Sequence, residues 1–436
     1  MQIMYTHPWP STCHMTMSKL PCQKSPMAAP MFFHFMICKH MVLFLAIYTN
    51  VLARYGDNFA NLGSVTNSPP GKYLVRLGHD CEPGLVMGHD EFPQYLGVIS
   101  FPTTWGSMMI RIVNFNNSTD LDAVLQIESQ IDIKPVSRPG PPSGPALTPE
   151  TLQGSSTLNE AALKSPWGLD TTDATAILTL MAAIEEYNGP ENGSDNGAVK
   201  EILGAAGLSG GVYAPPPRLN MTLASLIIEK NTSTALLTPS YHINLGNSWT
   251  NLVPALMGDF HSHYIFRAWT AYIGYLDLVS TQALYPEYAV DGTNQLSVTT
   301  NESYIIQFSS KPPTAFWSLT PYSGNYLVPN GLNRYSLHEQ SNITYPDGSL
   351  VYGGENTTDR PFEILLQAAD VAPPANWTSN WLPAPAGGGN VSINCESSVV
   401  FEQNEGGILT RRQYVLMALR QQLCRMDHMF IQSSPS

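Results

Sequence analysis

Charge is scarce in this chain. Asp, Glu, Lys and Arg make up 13 % of its 436 residues, about half the share usual in soluble proteins, so the polar surface must be built mainly from Ser, Thr, Asn, Gln and Tyr. Positive charge is the scarcer sign: 21 basic against 34 acidic residues, for a net charge of −13. No Lys/Arg cluster interrupts that deficit, which excludes the phosphate-gripping footprint of a nucleic-acid binder. A membrane-spanning run is missing as well. The apolar stretch Met41 to Ala53 falls well short of the roughly 20 residues a transmembrane helix needs. The 6 cysteines include no CxxC pair, so structural zinc has no support. P-loop, dinucleotide-binding, EF-hand and HExxH patterns are absent, and so is any repeat of 20 to 50 residues. Neither a cofactor nor a metal is expected.

Asparagine sequons, by contrast, are abundant. Asn-x-Ser/Thr occurs at Asn116, Asn117, Asn192, Asn220, Asn231, Asn301, Asn342, Asn356, Asn376 and Asn390, about twice the number expected by chance from this composition. The excess points to a glycosylated, secreted chain. Met41 to Ala53 reads in two ways. It resembles a signal-peptide core, with Val51-x-Ala53 as a cleavage site, but about forty residues precede it; it reads equally as a buried strand. Residues 1–40, rich in Met, His, Pro and Cys, show no periodicity and are read as disordered or extraneous.

The fold class expected is mainly β with a helical middle segment: two β-sandwich or jelly-roll-like domains, with incompleteness at both ends left open. Lys72 to Leu77, Tyr95 to Phe101 and Met108 to Val113 are strand-like within a first β domain at 41–133. Asp120 to Ile133 reads as one helical turn at most and then a strand, because Glu128 interrupts the apolar spacing. A proline-rich linker follows at 134–150. The helical segment covers 151–290, with Ile177, Leu180, Met181 and Ile184 at i, i+3, i+4, i+7, then Val199, Ile202, Leu203 and Ala206, then a stripe from about Asp259 to Leu276. A second β-sandwich is assigned to 291–395, with strands at Leu296 to Thr300, Tyr304 to Ser309, Phe316 to Thr320, Asn325 to Val328 and Phe362 to Gln367. A divergent tail occupies 396–436. Pairing of Cys395 with Cys424 stays open.

Each chemical motif has an ordinary reading beside it. Gly207-Leu208-Ser209-Gly210-Gly211 matches the G-x-S-x-G pattern, but a helix precedes the serine where the hydrolase elbow needs a strand, so it reads as a turn. His261-Ser262-His263 beside Asp259 would place two imidazoles on one face of a strand but about 200° apart on a helix, and this segment reads as a helix start. Gly78-His79-Asp80 and Gly88-His89-Asp90 read as turns. Arg267 stands off the apolar stripe of its helix and suits an ion pair or an anionic ligand. Trp317, Tyr322, Tyr326, Asn330, Asn333, Arg334 and Tyr335 mix aromatic faces with amide and guanidinium donors, a composition suited to a sugar or aromatic ligand as well as to a core.

Several segments resemble known families. Tyr55-Gly56-Asp57-Asn58-Phe59-Ala60-Asn61-Leu62-Gly63, Pro69-Pro70-Gly71-Lys72-Tyr73-Leu74-Val75 and Pro102-Thr103-Thr104-Trp105-Gly106 resemble the later half of the domain of unknown function numbered 1254. Phe316-Trp317-Ser318-Leu319-Thr320, Asn333-Arg334-Tyr335-Ser336, Asp347-Gly348-Ser349-Leu350 and Asn380-Trp381-Leu382-Pro383-Ala384-Pro385 resemble its partner, numbered 1214. The resemblance, taken as that of a fungal-type member, implies two β-sandwich-like domains joined by a helical segment, no agreed catalytic site, and a strand at Met41 to Ala53, which is therefore the favoured assignment of that run. The family's earlier first-domain strands and its closing Tyr-x-Tyr-Pro strand have no evident counterpart. The expected function is a secreted β-rich glycoprotein that binds a small molecule or sugar through Trp317, Tyr322, Asn333, Arg334 and Trp381, with Arg267 as a further contact. Two alternatives stand beside it. One is a hydrolase, isomerase or cyclase of a fungal biosynthetic pathway using Arg267, Asp259, His261 and Asp370, marked by His261 or His263 converging on Asp259 or Glu229. The other is a truncated inactive copy.

Overall fold

The structure, a computed structural model, describes residues 57–137 and 185–398 with short gaps, scattered positions within 175–183, and the backbone of Gln2–Met4, Thr12–Thr16, Phe32–Met36, Leu43–Thr49 and Met429–Pro435. Two compact units divide the chain. The first holds residues 1–114, 118–235 and 258–277; the second holds 115–117, 236–257 and 278–436. Residues 236–257, which lie inside the stretch read as one helical segment, thus belong to the second unit.

Two five-stranded sheets and a small two-stranded one make up the described β part of the first unit. In one, Gly106–Val113 pairs with Leu43–Thr49, which pairs in turn with Asn58–Leu62. In the other, Lys72–Leu77 runs parallel to Gly97–Phe101, and Gly84–Met87 closes that edge antiparallel. Alternation along Asn58–Leu62 sends Ala60 and Leu62 inward, where they meet Tyr73, Val75, Ile99 and Ile110. Strands Thr12–Thr16 and Phe32–Met36 pair with these same sheets.

Leu121–Ser129 is a nine-residue helix, not a single turn. Val124 and Glu128, one helical repeat apart, are its buried residues. Glu128 breaks the apolar pattern in sequence yet faces inward, with its Oε2 buried without a hydrogen-bond partner and its pKa raised by that burial. A helix the periodicity missed runs over Met221–Leu236. Asn220 caps it, its Oδ1 accepting from the Leu223 N–H at 2.9 Å. It buries no residue, and Leu223, Leu226, Ile227 and Ile228 are all exposed, so no apolar stripe announces it. Ser209 sits in a two-residue strand paired with Val212–Tyr213. Gly207 (φ 88°) turns the chain there, where a Cβ would stand 2.0 Å from the Ala214 carbonyl oxygen.

The second unit packs a nine-stranded sheet against a four-stranded one. Strand Phe362–Ala368 is the spine of the smaller sheet, antiparallel to Glu302–Phe308 and parallel to Trp381–Ala384. On the far side of Glu302–Phe308, Met429–Pro435 pairs over seven residues. The sequence after Cys395 lacks the family's Tyr-x-Tyr-Pro ending, but a ladder is made by backbone N–H and C=O groups and asks for no particular residues. Trp317, Leu319, Ile393 and Cys395 from the large sheet meet Ile306, Phe308, Phe362 and Ile364 from the small one in a single core. Cys395 is a free thiol in that core, pushed up to about 12 by burial first and by Glu396 second; Cys424 lies outside the described residues. The chain is therefore a mixed α/β fold dominated by β-sheets, with a central helical stretch. Among the described residues no helix is long and apolar enough to cross a membrane.

Candidate functional site

In the first unit the helix expected from about Asp259 begins only at Tyr264. Residues 258–263 form a loop, with Gly258 at φ 70° and His261 at φ 48°. Left-handed backbone at a histidine is uncommon and persists only where the surroundings enforce it. Here three hydrogen bonds do so. Asn58 N–H donates to the Gly258 carbonyl at 2.6 Å, Gly258 N–H donates to Asp277 Oδ2 at 3.1 Å, and Phe260 N–H donates to Asp57 Oδ1 at 3.1 Å. The fully buried Phe260 ring anchors the loop.

The second oxygen of Asp57 accepts from Arg267 Nη1 at 2.6 Å. This ion pair is shielded on both sides, Asp57 being 2 % and Arg267 13 % exposed at the side chain. Arg267 also lies 4.9 Å from the Tyr264 ring centre. Its role is therefore to hold the loop to the strand Asn58–Leu62, 210 residues away in sequence.

A second segment closes on the loop from residues 191–195. Asn192 Oδ1 accepts from the Ser194 N–H, while its Nδ2 donates to Ser262 Oγ at 3.1 Å. Tyr264 donates to Asp195 Oδ2 at 2.6 Å. Glu191 is thereby brought against His261, with Oε2 3.1 Å from Nδ1. On the other side of the ring, Asp259 Oδ2 lies 3.7 Å from Nε2. One potential ligand atom from each of Glu191, Asp259 and His261 lies within 4.8 Å of the other two. Asp259 Oδ1 is buried with no hydrogen-bond partner.

Two carboxylates held this close disfavour each other's charge. Asp259 is pushed up to about 7, by burial first and then by Glu191. Glu191 is raised by burial, although His261 pulls it the other way. Burial alone would lower His261, but Asp259 and then Glu191 outweigh it and hold its pKa raised. His261 therefore converges on Asp259, one of the pairings that would mark chemistry, and Glu191, a carboxylate not singled out from the sequence, joins them. Glu229 is an exposed residue of the 221–236 helix, His263 is exposed and outside the cluster, and Asp370, in the second unit, accepts from the Gly387 N–H. Glu191 lies 70 residues ahead of His261, and no spacing rule connects them.

The second unit spreads the other residues named from sequence over different tasks. Trp317 is fully buried beside Phe308, and its Nε1 donates to the Tyr352 hydroxyl at 2.9 Å. Tyr322, five residues along the same strand, points to the opposite face. Arg334 Nη1 donates to the carbonyls of Thr378 and Trp381 at 2.6 and 2.9 Å, stapling that segment down. Asn333 is exposed at φ 52° and accepts from the Tyr335 hydroxyl. Trp381 is buried. Of the sequons, Asn192, Asn220, Asn231, Asn301, Asn342, Asn376 and Asn390 are exposed, while Asn116, Asn117 and Asn356 lie outside the described residues.

His338 provides a pH test of this unit. Burial lowers its pKa to about 4 from 6.5, and its Nδ1 accepts from the Gln340 N–H at 3.2 Å. Above pH 6.5 the ring is neutral in folded and unfolded chains alike. Between 6.5 and about 4 the unfolded chain takes up a proton that the folded chain refuses, so stability falls. Thermal unfolding of wild type and His338→Gln across that range should show wild type losing stability relative to the variant as the pH drops; parallel curves would deny the histidine this role.

Residues 45–135 match a protein family of unknown function, DUF1254, and residues 282–394 match another, DUF1214. The chain is also similar to a crystal structure from Vibrio parahaemolyticus, with 16 % identity, a TM-score of 0.46, and coverage of 94 % of this chain and 89 % of that one. A second similar structure, of a putative uncharacterized protein from Burkholderia cenocepacia, shows 9 % identity and a TM-score of 0.39, covering 97 % of this chain and 76 % of that one. Both organisms are bacteria, where a fungal-type member was expected. No curated protein matches the sequence.

Proposed function

We propose that this β-rich chain is a ligand-binding protein whose first unit holds a divalent cation through Glu191, Asp259 and His261. The observation that supports the reading is the convergence of two carboxylates and an imidazole around a buried Asp259 oxygen that no donor reaches. Arg267 is committed to Asp57 and is the weakest of the groups that act on Glu191, so most of the positive charge that two adjacent carboxylates call for comes from the imidazolium or from outside. A mixed oxygen and nitrogen set suits Zn²⁺ or Mn²⁺ better than Ca²⁺, which favours oxygen alone. Three protein ligands beside a largely exposed His261 side chain leave a coordination position for water or a bound molecule, the arrangement of catalytic rather than structural zinc sites.

Titration calorimetry of the full chain with Zn²⁺, Mn²⁺ and Ca²⁺ tests this. Saturable binding of Zn²⁺ or Mn²⁺ is expected, weakened on the order of 100-fold in Asp259→Asn and in Glu191→Gln. A cation must displace protons from His261 and the raised carboxyls, so binding strengthens from pH 6 to pH 8 and releases protons to the buffer. Heat that persists unchanged in both variants, or no heat from any of the three ions, removes the reading.

A further inference from the structure

Five of the fifteen large apolar side chains that stand exposed among the described residues lie within ten positions, 219–228. They are Leu219, Leu223, Leu226, Ile227 and Ile228, between 41 % and 65 % exposed. Four belong to the 221–236 helix. Leu223, Leu226 and Ile227 stand at i, i+3 and i+4 and so project together, and Ile228 carries the apolar surface about 100° further round. The half-buried positions of the same helix are Met221, Ala224, Thr232, Ala235 and Leu236. A surface helix ordinarily turns its bulky aliphatic residues inward and its polar ones to water. In this one the small Ala224, Thr232 and Ala235 are among the shielded residues and four bulky side chains face out, the arrangement of a helix with a second body packed on its outer side.

Area and charge select that body. Each about half exposed, the five side chains leave on the order of 500 Å² of apolar surface in water, toward the upper end of what an ordinary monomer carries in its largest patch. A stable complex takes roughly 800 Å² from each partner, and about 65 % of that is apolar in a homodimer, which again comes to about 500 Å². The whole chain carries a net charge of −13, so two copies repel one another through most of their surface. Residues 196–235 escape that repulsion, with Lys200, Arg218 and Lys230 against Glu201 and Glu229. An isologous contact sets a face against its own copy, and this helix, apolar with one Glu and one Lys side by side, meets its copy with no net charge to oppose it. A lipid surface would call for several Lys or Arg along the polar side, and the helix has only Lys230.

We propose that the outer side of the 221–236 helix is the contact through which two copies of this chain associate. The contact is independent of the cation cluster and of its test. Asn231 stands one turn beyond Ile227 on the same side and opens the sequon Asn231-Thr232-Ser233. A glycan there would stand in the contact, so the association belongs to the unglycosylated chain.

Analytical ultracentrifugation of the full chain, made in a bacterial host that adds no N-glycan, tests it. Wild type sediments at twice 47.8 kDa at about 10 µM, within the range of affinities that interfaces of this size reach. Leu226→Glu/Ile227→Glu places two charges in the contact. Both side chains are exposed in the single chain and Glu is a good helix former, so circular dichroism and thermal unfolding stay as in wild type while association weakens about 100-fold or more. Leu332→Glu, at an exposed aliphatic residue elsewhere, remains dimeric. A wild type that stays at 47.8 kDa up to about 100 µM overturns the proposal, as does a dimer that survives Leu226→Glu/Ile227→Glu or is lost equally in Leu332→Glu. Monomeric wild type that floats with phosphatidylcholine/phosphatidylserine vesicles would give the helix to lipid, and monomeric wild type that the double substitution destabilises would give it to another segment of its own chain; either result also rejects the second copy.

Discussion

Asp57→Ala is expected to destabilise the first unit by about 3 to 5 kcal/mol, because it leaves the Arg267 guanidinium shielded from water without its counter-charge. Asp57 is 2 % and Arg267 13 % exposed at the side chain, and Nη1 and Oδ2 are 2.6 Å apart, so little solvent is present to take over. The same carboxylate accepts from the Phe260 N–H, and its loss frees the loop that presents Asp259 and His261. Cation binding should therefore fall with stability in the single variant. The double variant Asp57→Ala/Arg267→Met separates the two effects: removing both charges restores much of the stability, while the loop still lacks its tether and cation affinity stays low. Urea unfolding and calorimetry on the three proteins measure this. If the single variant is as stable as wild type, the ion pair is not what holds the loop.

Trp317→Ala should cost the second unit about 3 to 5 kcal/mol. The indole is fully buried, with its centroid 5.3 Å from Phe308 and 6.4 Å from Phe362, and Phe308 and Phe362 are stacked at 4.7 Å. Deleting it opens a cavity between the two sheets and removes the donor that reaches the Tyr352 hydroxyl. Trp317→Phe keeps a ring in the cluster and should cost about half as much. Chemical denaturation reads both values. A tryptophan that served a ligand at an open site would show the reverse, with intact stability and lost binding.

Much of the β architecture was legible in the sequence because it rests on local pattern. Lys72–Leu77 and Phe362–Ala368 are short β-branched or apolar runs bounded by turn residues, and both are strands. Leu43–Thr49 is a strand as well, but there it was the family resemblance and not the local pattern that favoured one. What failed were patterns whose meaning depends on a distant partner. Glu128 reads as an interruption, yet the fold buries it on the inner face of the 121–129 helix. The 221–236 helix carries no one-sided stripe because it buries no side chain. Strand Met429–Pro435 lacks the family's motif but needs only its backbone to pair with Glu302–Phe308.

The candidate site divides along the same line. The sequence by itself determined a β-rich chain with little charge and no basic footprint, and it set His261 two residues from Asp259, because composition and short-range spacing are written directly in the residue order. It also singled out Arg267 as a cation wanting a carboxylate. Tertiary structure alone decided that the carboxylate is Asp57, that Glu191 rather than Glu229 completes the cluster, and that Trp317 faces the core while Tyr322 faces away from it. These outcomes depend on contacts across 70 and 210 residues and on the register between strands. Coulomb attraction and burial act on distance in space, and no spacing along the chain encodes that distance until the strands have paired.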